Sequence, residues 1–283
     1  VRIDLHTHST ASDGTDSPAE LVRNARAAGL DVVALTDHDG TGGWAEAVDA
    51  LPGGLTLVRG AEISCVAEDG ISLHMLGYLF DPTEPEFARA RESLRTDRVR
   101  RAEAMVERCR ELGTPITWAR VREIAAGAAV GRPHVATALV EAGVVADVSE
   151  AFTPQWLGDG GRAFVDKYEI RAEEAVRLIG AAGGVAVFAH PGAVKRGRTV
   201  SDATIAALAD AGLAGIEVDH LDHDAAMRAH LRGLAGDLHL ITTGSSDYHG
   251  TRKSIALGEH TTAPESYEAI VERATGVRVE VKP

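Results

Sequence analysis

Seven short apolar or β-branched runs punctuate the chain: Val1–Leu5, Asp31–Leu35, Leu55–Arg59, Ile71–Leu79, Gly184–Ala189, Leu213–Val218 and Leu238–Thr243. Near-continuous stretches such as Val185-Ala186-Val187-Phe188-Ala189 suit strands buried on both faces, as in a parallel sheet. Helical patterns alternate with them. Ser17-Pro18-Ala19-Glu20 reads as a helix start, with Ser17 as N-cap, Pro18 in the first turn and Glu20 able to complete a capping box, and Gly29 closes that helix. Further helices are expected over 41–51, 170–182 and 201–211. This alternation predicts an α/β architecture with parallel strands.

A polar cluster stands at or near the C-terminal end of each run: His6-Thr7-His8, Thr36-Asp37-His38-Asp39, Gly60-Ala61-Glu62, His74, Ala189-His190-Pro191-Gly192, Glu217-Val218-Asp219-His220 and Ser246-Asp247-Tyr248-His249-Gly250. In a barrel of parallel strands that end is where catalytic residues gather, so the clusters together predict one shared site. The middle of the chain breaks the rhythm. A long charged helix over 84–111 and helices over 117–127 and 133–143 are expected, with no barrel strand between 83 and 180. Residues 83–166 therefore read as a helical insertion, and 1–82 with 167–283 as the barrel domain.

Composition narrows the function. A net charge of −13 argues against a duplex nucleic acid partner, which needs a basic face. A small phosphorylated substrate stays open, because bound cations can reverse the local sign of charge. No run approaches the roughly 18 apolar residues of a membrane span, and the first residues lack a signal-peptide pattern. The only cysteines, Cys65 and Cys109, form no CxxC pair, which fits a reducing cytoplasm; Cys65 reads as a structural thiol. The glycines at 40–43 and 158–161 match neither a P-loop nor a dinucleotide fingerprint, so no nucleotide cofactor is expected.

The chain carries 12 histidines, a surplus that calls for a chemical role. Residues i and i+2 of a strand share a side, so His6 and His8 can hold one ion, with Asp247 and His249 on the opposite wall. Asp13 adds a carboxylate on the first loop, and Glu62 can bridge two ions. Imidazole mixed with carboxylate suits Zn²⁺, Mn²⁺ or Fe²⁺ better than Ca²⁺ or Mg²⁺ alone. Asp37 reads as a carboxylate that orients a ligand histidine.

His6-Thr7-His8-Ser9, Thr36-Asp37-His38, Glu62, His74, Ala189-His190-Pro191 and Ser246-Asp247-Tyr248-His249-Gly250 resemble, in order, the motifs of the PHP family, named for polymerase and histidinol phosphatase domains. The resemblance covers about 1–80 and 184–260. It implies a distorted seven-stranded (β/α) barrel and two or three divalent metal ions. It places His6, His8, Glu62 and Asp247 around one ion and Asp13, His38 and His249 around a second. A third would take Glu62, His74 and His190. Many family members have His where this chain has Asp13, and an oxygen ligand there favours Mn²⁺.

Within the family the chain resembles phosphoesterases related to nucleoside 3′,5′-bisphosphate phosphatase, through Gly131-Arg132-Pro133-His134 and Phe164-Val165-Asp166-Lys167-Tyr168. The expected reaction is attack of a metal-activated hydroxide on a phosphomonoester, here the 3′-phosphate of the bisphosphate, with 5′-3′ trimming of short RNA ends as a secondary activity. Arg132 and Lys167 would bind the second phosphate, and His134 would contact phosphate or protonate the leaving oxygen. The other reading of His134 is a local hydrogen bond at a helix start. His220 is a candidate pocket residue, Arg196 and Arg198 are weaker phosphate candidates, and His223, His230, His239 and His260 are expected to be exposed. The alternatives are a histidinol-phosphate phosphatase, a non-catalytic metal-stabilised module, and an amidohydrolase.

Overall fold

A computed structural model describes residues 1–125, 130–194 and 197–282. Among the described residues nine strands form one sheet, whose main path runs β1 (Ile3–Asp4), β2 (Val32–Leu35), β3 (Thr56–Val66), β4 (Ser72–Tyr78), β6 (Val185–Phe188), β7 (Gly215–Asp219) and β8 (Ile241–Gly244). Two-residue strands β5 (Ile170–Arg171) and β9 (Glu280–Val281) pair with β3 off this path. β5 corrects the expectation that no barrel strand lies between 83 and 180. It occupies the start of what reads, by apolar spacing, as one helix over 170–182.

The sheet is mixed, not wholly parallel. β1–β2, β2–β3, β6–β7 and β7–β8 are parallel, but β4 runs antiparallel to both β3 and β6. The reason is local. Ala67-Glu68-Asp69-Gly70-Ile71 turns tightly, Ala67 N–H donating to Ile71 C=O at 2.9 Å with Gly70 at φ +78°, and so short a link joins only antiparallel strands. Past β8 the chain returns to β1. His8 N–H donates to Tyr248 C=O at 2.8 Å, and Thr262 N–H to Ile3 C=O at 2.9 Å. The sheet thus curls into a distorted, nearly closed barrel flanked by helices.

Helix α1 (Pro18–Ala27) has the expected capping box: Glu20 N–H donates to Ser17 Oγ at 3.2 Å and Ser17 N–H to Glu20 Oε2 at 2.8 Å. Its Pro18, Leu21, Val22 and Ala25, one helical stripe, are buried. Helices α2 (Trp44–Ala50), α7 (Ala172–Ala181), α8 (Asp202–Asp210), α9 (Ala225–Asp237) and α10 (Pro264–Arg273) follow strands of the barrel unit. Ile3, Leu5, Val32, Ala34, Val58, Leu76, Val187 and Ala189 build a core there, through which Tyr78 donates its hydroxyl to Leu5 C=O at 2.9 Å.

By compactness the chain separates into two units, 1–92 with 169–283, and 93–168. The second contains most of α3 (Pro85–Glu111), α4 (Trp118–Ala125), α5 (Arg132–Glu141) and α6 (Val148–Ala151) around its own core of Met105, Val121, Val135, Leu139 and Leu157. The expected end of the 117–127 helix, Gly127, lies outside the described residues. Among the described residues no helix is long and apolar enough to cross a membrane.

Candidate metal centre

The segment that follows strand β1 brings His6 and His8 together, both fully buried. The loop after them folds back on itself, with Ser12 and Gly14 N–H both donating to Ser9 C=O, at 3.1 and 2.9 Å. A Cβ at Gly14 would stand 2.5 Å from His8 C=O, so only glycine permits this return. Asp37 staples the loop: it accepts from Ser9 N–H at 2.8 Å, Ser9 Oγ at 2.7 Å and Ser12 Oγ at 2.6 Å. Asp37 therefore holds the loop, and it reaches His8 through Ser12, whose Oγ lies 3.4 Å from His8 Nδ1.

Glu62, on β3 and 1% exposed, is the hub. Its Oε2 lies 3.2 Å from His6 Nε2, 3.1 Å from His8 Nε2 and 3.3 Å from His38 Nδ1. Its Oε1 lies 2.8 Å from His74 Nδ1 and 3.0 Å from His190 Nε2. Asp247 faces it: Oδ1 is 3.5 Å from His6 Nε2 and 3.4 Å from both His8 Nε2 and His249 Nδ1. Asp13, returned by its loop, places Oδ1 3.4 Å from His249 Nε2 and Oδ2 3.7 Å from His38 Nε2. Two of these residues occupy left-handed backbone at strand ends, His190 at φ +33° and Asp247 at φ +52°.

Among the described residues three groups of potential ligand atoms converge within 4.8 Å: His6, His8, Glu62 and Asp247; His8, Asp13, His38 and His249; and His38, Glu62 and His74. The third differs from the expected trio in having His38 where His190 stands, while His190 Nε2 reaches Glu62. The donor set fits divalent cations. His6 Nε2 and His8 Nε2 face each other at 3.1 Å while both also face a Glu62 and an Asp247 oxygen, an arrangement one shared cation satisfies better than any placement of protons. Buried His74 Nδ1 makes no well-formed hydrogen bond although Glu62 Oε1 is 2.8 Å away.

Electrostatics agree. Burial raises the Glu62 carboxyl, but His74, His6 and His38 and the His190 hydrogen bond outweigh it and hold it well below the usual carboxylate range. Burial likewise raises Asp13, yet His38 and His249 keep it low. Burial disfavours the charged form of His8, but hydrogen bonds to Asp247 and Glu62 push it up to about 9. The pocket is strongly anionic without protons, and cations would displace those protons.

Other candidates are distributed differently. His220 is fully buried, its Nε2 3.3 Å from Asp247 Oδ2 and its Nδ1 accepting from Asp222 N–H at 3.1 Å, so it supports a carboxylate of the centre and is closed to solvent. His223 is also buried, contrary to the expected exposure, because its ring bridges Val218 C=O at 2.8 Å and Gly192 N–H at 3.0 Å. His230 and His239 are exposed and His260 is half-buried. Arg132, His134 and Lys167 belong to the 93–168 unit. Arg132 stacks over Phe152 at 5.1 Å and donates to Leu157 C=O and Asp159 Oδ1, both at 3.3 Å. His134 is 2% exposed and its Nδ1 accepts from Gly131 N–H at 3.0 Å, the local helix-start bond. Arg198 donates to Asp69 C=O at 3.2 Å, and Arg196 lies outside the described residues.

Two residues beside the centre had no assigned role. Lys253 Nζ lies 2.6 Å from Asp247 Oδ2, with no sequence signal to mark it. Glu217 had a signal, its place in a strand-end cluster, and it is fully buried behind His6.

A barrel that brings these carboxylates and imidazoles together defines a metal-dependent hydrolase. The PHP domain model matches residues 4–111. The chain is 36% identical to the 3′,5′-nucleoside bisphosphate phosphatase of Chromobacterium violaceum, over 88% of this chain and 87% of that protein. It is 40% identical to a 5′-3′ exoribonuclease of Haemophilus influenzae, over 67% of this chain and 69% of that protein. A solved structure from Bifidobacterium adolescentis, assigned as a metal-dependent phosphoesterase, superposes with a TM-score of 0.89 at 36% identity, covering 96% of each chain. The chain belongs to the PHP family.

Proposed function

We propose that this phosphoesterase removes the 3′-phosphate from nucleoside 3′,5′-bisphosphates. The observation that carries the hydrolytic part is the convergence of His6, His8, Glu62 and Asp247 with the flanking sets that share His8, His38 and Glu62. The likeness to the Chromobacterium violaceum phosphatase along most of both chains favours the bisphosphate.

In this reading His6, His8, Asp13, His38, Glu62, His74, His190, Asp247 and His249 hold two or three ions, with Mn²⁺, Zn²⁺ or Fe²⁺ as the suited metals. Bound there, such ions supply Lewis acidity to the phosphoryl group and acidify water at neutral pH. Glu62 keeps its two oxygens on different imidazoles and so ties the sets together. Lys253 neutralises the outer oxygen of Asp247, leaving Oδ1 to the centre. Arg132, on a helical insertion over 83–166, and Lys167, just past it, take the second phosphate, and His134 of the insertion contacts phosphate or protonates the leaving oxygen. Arg132 suits this because Phe152 holds its guanidinium plane while the fork is 34% exposed. The buried thiols of Cys65 and Cys109 suit a reducing cytoplasm.

Phosphate release by Mn²⁺-supplemented protein from adenosine 3′,5′-bisphosphate, with 5′-AMP as product, tests this. Turnover confined to histidinol phosphate would overturn it. A second activity, stepwise trimming of short RNA from the 5′ end, is favoured by the 40% identity to the Haemophilus influenzae exoribonuclease. A 5′-phosphorylated RNA pentamer left intact would remove it.

A further inference from the structure

Glu217 on β7 is fully buried, and it belongs to none of the three groups of converging ligand atoms among the described residues. Each of its oxygens nevertheless holds a residue of the centre. Oε1 lies 3.1 Å from His6 Nδ1 and accepts from the Ser245 hydroxyl, and Oε2 accepts from His190 N–H at 2.9 Å. The opposite ring nitrogen, His6 Nε2, is the atom that faces His8, Glu62 and Asp247.

We propose that Glu217 is a positioning residue for the metal centre: it fixes the His6 proton on Nδ1, so that Nε2 presents a lone pair, and it clamps the left-handed backbone at His190. The proposal rests on the reading of His6 as a ligand. Its logic is that of donors and acceptors. A neutral imidazole carries one N–H, and an ionised carboxylate only accepts, so an Nδ1 facing Glu217 must carry the proton. The His190 N–H is an obligatory donor that no tautomer can change. Glu217 accepts at both oxygens, from the Ser245 hydroxyl at Oε1 and the His190 N–H at Oε2, as an ionised carboxylate does.

Glutamine at this position has almost the same shape but only one acceptor oxygen. If that oxygen serves His190 N–H, the amide NH₂ faces His6 Nδ1, and His6 must accept there and carry its proton on Nε2, where the lone pair was needed. If the oxygen serves His6 instead, NH₂ meets the His190 N–H, leaving buried donors opposed. Ser245 is no obstacle in either case, because a hydroxyl can turn to donate or accept. A purely space-filling role would leave Glu217→Gln indistinguishable from wild type.

The test needs no substrate. Mn²⁺ affinity of wild type, Glu217→Gln and Ser245→Ala is measured by titration with electron paramagnetic resonance. Nitrogen NMR of the Zn²⁺-loaded protein locates the His6 ring proton. Glu217→Gln is expected to bind Mn²⁺ about 10–100-fold more weakly, and Ser245→Ala to stay near wild type. The wild-type His6 proton should be on Nδ1. A folded Glu217→Gln that titrates like wild type, or a wild-type His6 proton on Nε2, would overturn the proposal; the second measurement decides if the variant does not fold. A wild type that takes up no Mn²⁺ would bring down the metal-centre reading as well, which keeps the two failures distinct.

Discussion

Glu62 Oε2 stands 3.2 Å from His6 Nε2, although 56 residues and two intervening helices separate them in the chain. With Oε1 on His74 and His190, Glu62 is the one carboxylate shared by two of the three ligand groups. Glu62→Gln preserves volume but removes the charge and one acceptor. Metal content after Mn²⁺ loading should fall, and kcat/KM should drop by at least about 100-fold, since loss of supporting residues alone costs 10–100-fold. Full metal content in the variant, measured by atomic emission, would refute the bridging role.

Asp37→Ala should act on one part of the centre. It releases Ser9 and Ser12 and with them the loop that returns Asp13. Losing hydrogen bonds to a buried carboxylate costs about 1.5–3 kcal/mol each at most, with partial recovery by water. Thermal unfolding should shift down, and Mn²⁺ stoichiometry should fall by one ion while the set around Glu62 stays loaded. Unchanged stoichiometry would separate the loop from metal binding.

Arg132→Ala removes a guanidinium held by Phe152 and the Leu157 carbonyl. KM for adenosine 3′,5′-bisphosphate should rise by about 10-fold or more, the scale of one lost charge-assisted contact of about 1.5–3 kcal/mol. KM for a nucleoside 3′-monophosphate should change little. Equal changes on both substrates would take Arg132 out of second-phosphate recognition.

His223 supplies a pH test of stability. Burial lowers its pKa in the folded state, so below an unfolded pKa of about 6.5 the unfolded chain binds the extra proton and stability falls as pH falls. Its share of the slope is at most about 1.4 kcal/mol per pH unit. Urea midpoints measured between pH 7.5 and 5.5, values chosen to straddle that pKa, should fall less steeply for His223→Gln than for wild type. Parallel slopes would mean that the folded ring protonates freely.

Cys65 and Cys109 are both buried, and burial pushes the Cys109 thiol up to about 11. At pH 8, where free thiols react readily, native protein should resist a maleimide, and denatured protein should take up two labels per chain. Native labelling of Cys109 would reveal opening of the 93–168 core.

Local signals were the legible ones. The Ser17–Glu20 capping box and the strand-end polar clusters need only a few consecutive residues; the structure has the box and most of the clusters, although Glu62 and His74 lie inside β3 and β4. The direction of β4 was missed because apolar periodicity is the same for parallel and antiparallel strands; the short turn ending in Asp69-Gly70 was the signal that distinguished them. His223 was misread as exposed because its partners, Val218 C=O and Gly192 N–H, are backbone groups that leave no mark on composition.

The surplus of 12 histidines, and their places beside Asp and Glu after apolar runs, were enough by themselves to imply an α/β chain built around cations. Tertiary structure alone decided which oxygen of Glu62 meets which imidazole, that Lys253 and His220 share the outer oxygen of Asp247, and that Glu217 stands behind His6. The reason is physical. Residue chemistry and periodicity are properties of neighbours in the chain, whereas a hydrogen bond between His6 and Glu217 spans 211 residues and exists only once the barrel has brought its two ends together.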